Sequence, residues 1–140
     1  MKKLIFTLFA FMLVAVLNAQ DLSVIMKTSR MIGDSVKLSI VAGGTNQVLV
    51  DWGDKINIPY TVSGNVNTPT IIHKPIAADS AVIRVLVNGS AITFLTCDGN
   101  DLITLDITRG NGLKYLRCFN NKLTEINPSS HTGLLLLYAY

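Results

Sequence analysis

Two histidines, His73 and His131, are the only side chains here whose ordinary titration suits general acid–base work. A nucleophilic hydrolase would set one of them beside a Ser or Cys with an orienting acid. Neither stands in such a phrase, and no Gly-x-Ser-x-Gly turn occurs. Asp51 and Asp54 could form a carboxylate pair, yet they bracket Trp52-Gly53 and read as acids that fix a turn. Asp98-Gly99-Asn100-Asp101 resembles the opening of a calcium loop. Leu102 then takes a ligand position, and no later Glu falls where the coordination would close. No glycine-rich phosphate loop follows a strand and opens a helix. The chain therefore reads as non-enzymatic, with no catalytic residues, no cofactor and no metal.

Cys97 and Cys118 are the remaining reactive pair, and they stand 21 residues apart. So does everything around them. Ile92/Leu113/Leu134, Leu95/Leu116/Leu137, Cys97/Cys118/Ala139 and Asn100/Asn121 align without a gap. A fixed period in the twenties means one supersecondary unit per repeat, each burying its apolar side chains against its neighbours. Leu95 and Cys97 alternate with Thr96 as a short strand does. The three strands should stack as a parallel ladder, with the leucines inside and each Asn satisfying backbone groups where the chain turns away. The cysteine column is continued by Ala139, so it selects small apolar side chains. Stacked cysteines lie within reach of one another, about 4.8 Å between backbones, but both point the same way and strain the disulfide torsion. Buried free thiols are expected.

These columns resemble the leucine-rich repeat, LxxLxLxxNxL, in a short form with Cys at the third apolar position. Leu105-Asp106-Ile107-Thr108 and Ile126-Asn127-Pro128-Ser129 stand where related repeats carry Leu-Asp-Leu-Ser. The resemblance is to secreted bacterial repeat proteins of the internalin-like kind, and it covers residues 92–140. It implies a solenoid that displays a surface. The third copy stops mid-phrase at Leu134–Tyr140, with no polar capping unit. That ending reads as a fragment of a longer repeat protein, or else as an edge that pairs with another chain.

Residues 20–91 carry strand signals separated by turns. Val36–Ile40, Val48–Trp52 and Ala81–Val87 are the clearest, with Leu22–Ile25 and Ile56–Ile58 behind them. No segment after residue 20 has a 3.6-residue apolar period. Val50-Asp51-Trp52-Gly53-Asp54 resembles the strand-end corner of PKD-type extracellular β-sandwiches, with Lys55 where that family has Gly. The region should be a small antiparallel sheet or sandwich that caps the repeats. The expected class is therefore mainly β: a β-rich cap over 20–91, then a truncated leucine-rich solenoid over 92–140.

Before both lies Lys2-Lys3, an apolar run from Leu4 to Leu17, and Asn18-Ala19. A basic start, apolar core and small residue make a secretory signal peptide over 1–19, cut after Ala19. Export to the periplasm, cell surface or medium follows, with no stable membrane insertion afterwards. Loss of Lys2 and Lys3 takes the balance from 12 basic and 9 acidic residues to 10 and 9. No basic cluster remains, which argues against nucleic acid.

One constellation suggests function. Outward positions of the ladder form the columns Phe94/Tyr115/Leu136, Thr96/Arg117/Tyr138 and Asp98/Phe119/Tyr140. Five of the nine are aromatic in a chain with 7% aromatic residues. Aromatic rings and Arg anchor protein interfaces. Phe94, Tyr115, Arg117, Phe119 and Tyr138 are thus the candidate ligand-binding residues, and a protein or cell-surface partner is expected. The alternative is a carbohydrate-binding accessory module in which Trp52 and the tyrosines stack on sugars. A small secreted hydrolase using His73 or His131 ranks last.

Overall fold

The computed structural model describes residues 22–44, 46–87 and 91–139. The expected signal peptide over 1–19 and its cut after Ala19 lie outside the described residues, as does Tyr140. Ten strands and no helix are present among the described residues. The first six are β1 (Leu22–Thr28), β2 (Ser35–Ala42), β3 (Gln47–Asp51), β4 (Asn57–Thr61), β5 (Thr70–Pro75) and β6 (Val82–Val87). The repeats contribute β7 (Ile92–Thr96), β8 (Leu102–Asp106), β9 (Tyr115–Arg117) and β10 (Leu136–Tyr138). The mainly β class expected from the sequence is what forms.

Period-two burial builds both layers. Val36, Leu38 and Ile40 of β2 point inward, while Lys37 and Ser39 point away. Ile83, Val85 and Val87 of β6 and Val48 and Val50 of β3 bury the matching face of the other layer. One sheet has the order β4-β3-β6-β1-β8, antiparallel throughout. The second has the order β10-β9-β7-β2-β5. In it β2 pairs antiparallel with β5 and β7, whereas β7, β9 and β10 run parallel. Side chains from both sheets and from the repeats form one core cluster.

No separate solenoid stands beside the sheets among the described residues. The first repeat unit is instead shared between them: β7 extends the second sheet from β2, and β8 extends the first sheet from β1. Apolar edges of the early strands are thereby covered by the repeat, and the first repeat by the early strands. The spacing of Leu102–Asp106 in the phrase was not enough to show that it is a strand, because its partner β1 lies 74 or more residues back. β5 also escaped the sequence reading. Thr70-Ile71-Ile72-His73-Lys74-Pro75 has no apolar–polar alternation, and Pro suits only an edge.

The asparagines do what their column requires. Asn121 Oδ1 accepts from the backbone N–H of Asn100 and Leu102, each at 3.0 Å. Its Nδ2 donates to the carbonyls of Cys97 and Cys118, again at 3.0 Å. One amide thus satisfies four backbone groups across two turns. Asn100, one unit earlier, has no preceding repeat to bind. Its amide pairs with both backbone groups of Lys37 in β2, at 3.0 and 2.8 Å. β2 therefore stands in for the missing earlier turn, and the amide is 1% exposed.

The Trp52 corner is fixed by its acids, as the sequence reading expected. Asp51 is buried and its Oδ1 accepts from the N–H of Gly53 (2.8 Å) and Lys55 (2.9 Å). Its Oδ2 meets Arg84 at 3.0 Å. Asp54 accepts from Ile56 N–H at 3.0 Å. Lys55, standing where the resembled corner has Gly, is held in the left-handed region at φ +66°.

Candidate binding face

The parallel register is the one the columns demand. Phe94 pairs with Tyr115 and Tyr115 with Leu136. Leu95, Leu116 and Leu137 make the next row, and Thr96, Arg117 and Tyr138 the third. Leu95 and Leu116 are fully buried, so strand alternation turns their neighbours to the outer face; Leu137, expected inside with them, is instead 40% exposed. The main chain continues the ladder past the strands. Cys97 N–H donates to Arg117 C=O at 2.9 Å, and Cys118 N–H to Tyr138 C=O at 2.8 Å.

All five candidate residues meet on this face. The rings of Phe94 and Tyr115 lie 6.2 Å apart with a 45° tilt. Those of Phe119 and Tyr138 lie 5.4 Å apart with a 39° tilt. Arg117 sits between the two pairs. Its guanidinium carbon stands 5.2 Å over the Phe119 ring, and its Nη2 meets Asp98 Oδ2 at 2.8 Å. Asp98 is anchored in turn, since its Oδ1 accepts from Phe119 N–H at 2.9 Å. These contacts favour one orientation of the Arg117 guanidinium before any partner arrives. Phe94, Tyr115 and Phe119 are half-buried, while Arg117 and Tyr138 are exposed.

Pairing across β2 and β5 widens the face beyond the repeats. Ser39 lies opposite Thr96, and Ile71 opposite Ser39. Ile71 is 59% exposed, so the row Ile71–Ser39–Thr96–Arg117–Tyr138 crosses the whole sheet. Sequence reasoning missed the β2 and β5 part. Those residues belong to no repeat, and antiparallel register between distant segments leaves no periodic mark.

Other candidates resolve differently. Trp52 is fully buried, its Nε1 donates to Tyr60 Oη at 3.1 Å, and the two rings meet edge to face at 6.4 Å. A ring sealed in the core cannot stack on a sugar, which corrects the role given to it in the carbohydrate alternative. His131, named above only as a possible catalytic group, is 6% exposed. Its Nδ1 accepts from Leu113 N–H at 3.2 Å, so the proton sits on Nε2, which donates to Ile107 C=O at 2.7 Å. It staples the end of the first unit to the start of the second, with both nitrogens committed. Its burial was illegible because the phrase around it carries no apolar pattern. His73 is exposed on β5, opposite Lys37.

The Asp98–Asp101 turn binds protein groups. Asp101 pairs with Arg30 at 3.0 Å and Lys122 at 3.2 Å, and hydrogen bonds from these two cations hold its carboxyl below the usual range. Arg30 also donates to the carbonyls of Ser35 and, at 2.6 Å, Gly99, tying the β1–β2 connection to the first Asn turn. Cys97 and Cys118 are buried free thiols. Each Sγ faces a carbonyl of the following unit, Arg117 at 3.6 Å and Tyr138 at 3.4 Å. Burial pushes both thiols up, Cys118 to about 11, with the Asp98 charge adding to it.

No protein-family model matches the chain, and neither the curated proteins nor the solved structures contain a match to it.

Proposed function

We propose that this chain is a secreted, non-enzymatic recognition protein of the leucine-rich repeat type, and that it binds a protein or surface partner through the outer face of β7, β9 and β10. The observation that carries the reading is the pre-arranged Asp98–Arg117–Phe119 cluster between two aromatic pairs. Interface energy concentrates in a few central aromatic and Arg residues of this kind. The export step rests on the Lys2–Ala19 sequence pattern. The repeat assignment rests on the 21-residue columns and on the parallel register they share.

A protein partner is favoured over a polysaccharide by the rings themselves. These rings lie 5.4 and 6.2 Å apart and are tilted on one another, so neither pair offers one flat platform to a sugar ring. Such pairs form compact knobs and hollows, which suit side-chain packing. The test begins with a partner isolated on immobilised wild-type chain. Tyr115→Ala and Arg117→Ala should each weaken its binding by about 1–3 kcal/mol with the melting temperature nearly kept. Thr108→Ala, on the far turn, should leave affinity unchanged. A partner indifferent to Tyr115 and Arg117 would move the binding surface elsewhere.

A further inference from the structure

The joint between the first repeat unit and the early strands encloses a cavity. Val24 of β1 and Val87 of β6 reach it from one sheet, and Ile92 of β7 from the other. Ile107 and Leu113 reach it from the segment that leads from β8 towards β9. These apolar side chains line a space of about 280 Å³. Each is at most 5% exposed, so the walls are core surface and not a dent in the outer face. Gly110 and Gly112 add wall without side chains, and Gly112 runs so close to Ala91 that a Cβ on it would collide with the Ala91 Cβ. The His131 ring also stands in the wall. Both its nitrogens are taken, by Leu113 N–H at 3.2 Å and Ile107 C=O at 2.7 Å.

The mouth is polar and carries charge of one sign. Arg109 and Asn111 stand there, both exposed. Among the described residues no acid lines the cavity. The acid nearest Arg109 is Asp106, whose Oδ2 lies 3.8 Å from Nε, longer than a hydrogen bond. Its other oxygen is held by Thr108, through the N–H at 2.9 Å and the hydroxyl at 2.6 Å. The Arg109 guanidinium therefore has donors to offer a ligand. Apolar walls with a few convergent polar groups are the usual form of a small-molecule site. Such sites range over about 300–1,000 Å³, so this one suits a ligand at the small end.

We propose that this cavity binds a small monocarboxylate, with its apolar body against Val24, Val87, Ile92, Ile107 and Leu113 and its carboxylate on Arg109. Charge selects the headgroup. A guanidinium at the mouth, with no acid in the lining, attracts a carboxylate and repels an amine. Burial selects the body, because each methylene placed against these walls leaves water. Asn111 stands beside Arg109 with an amide donor for the second carboxylate oxygen. This site does not depend on what the outer face of β7, β9 and β10 binds.

Titration of the purified chain with hexanoate tests it, read by calorimetry and by amide chemical shifts. Binding should saturate at about 0.1–10 mM and move the signals of Gly110, Gly112 and Leu113. From propanoate to hexanoate, each added methylene should tighten binding about fourfold. Hexylammonium should not bind. Arg109→Gln should weaken hexanoate about tenfold or more and leave the affinity for hexan-1-ol unchanged. Should Arg109→Gln fail to fold, the chain-length series and hexylammonium on the wild type decide. No saturation by about 10 mM, an affinity indifferent to chain length, hexylammonium binding as tightly as hexanoate, or shifts that spare Gly110, Gly112 and Leu113 would each overturn the proposal.

Discussion

Asn121→Leu removes four hydrogen bonds at one stroke. The side chain accepts from Asn100 and Leu102 and donates to Cys97 and Cys118, all at 3.0 Å. A net hydrogen bond is worth about 1 kcal/mol, and an orphaned buried group costs about 1–3 kcal/mol. Asn121 is half-buried, so water can reach some of the freed groups. The expected loss is therefore about 2–4 kcal/mol, below the sum for four sealed groups. At about 4 °C per kcal/mol for a domain of this size, the melting temperature should fall by about 8–16 °C. Asn65→Leu is the matched control. In its exposed turn Asn65 Oδ1 accepts only from Asn67 N–H, at 2.9 Å, and the loss should stay near 0.5 kcal/mol, about 2 °C. Asn121→Asp sharpens the result. It keeps the acceptor but sets a second oxygen against two carbonyls, so its deficit should shrink on acidification, when the carboxyl can donate. Thermal unfolding by circular dichroism reads all three. Equal midpoints for Asn121→Leu and Asn65→Leu would refute the view that this amide holds the stacked turns.

At the Trp52 corner, Lys55→Gly should stabilise by about 0.5–1 kcal/mol, because φ +66° strains a residue with a Cβ. Gly53→Ala should cost about 2–3 kcal/mol, since φ is +106° and the new Cβ would meet Ala81 Cβ at 2.8 Å; urea midpoints give both signs. Thiol titration should find two free thiols after denaturation and slow reaction before it, because both are buried and burial pushes their titration up, disfavouring the thiolate. Burial raises both thiols above the ordinary cysteine value, so their contribution is complete below that value and is lost as pH rises through the folded values. Stability should therefore decline on the alkaline side, and a flat profile to pH 11 would contradict the burial. N-terminal sequencing of exported chain should begin at Gln20, and a product retaining Lys2 and Lys3 would exclude the signal peptide.

Local order was legible in the sequence. Strand alternation placed β2, β3 and β6, and the 21-residue period placed the ladder, its buried Leu95 and Leu116 and the bonding role of its asparagines, but not the exposure of Leu137. It also gathered Phe94, Tyr115, Arg117, Phe119 and Tyr138 on one side, because an in-register parallel stack maps sequence columns directly onto surface columns. Only the tertiary structure decided where the ladder sits. β7 takes β2 as its neighbour and β8 takes β1, pairings between residues 50 or more positions apart that no local pattern encodes. Those pairings let Lys37 serve Asn100 and, with β5 on the other side of β2, carried the candidate face across to Ile71. The physical reason is common to both. Periodicity fixes which side of a strand is apolar, but which apolar surface it meets is settled by the one arrangement that buries every such side while leaving few backbone groups unpaired.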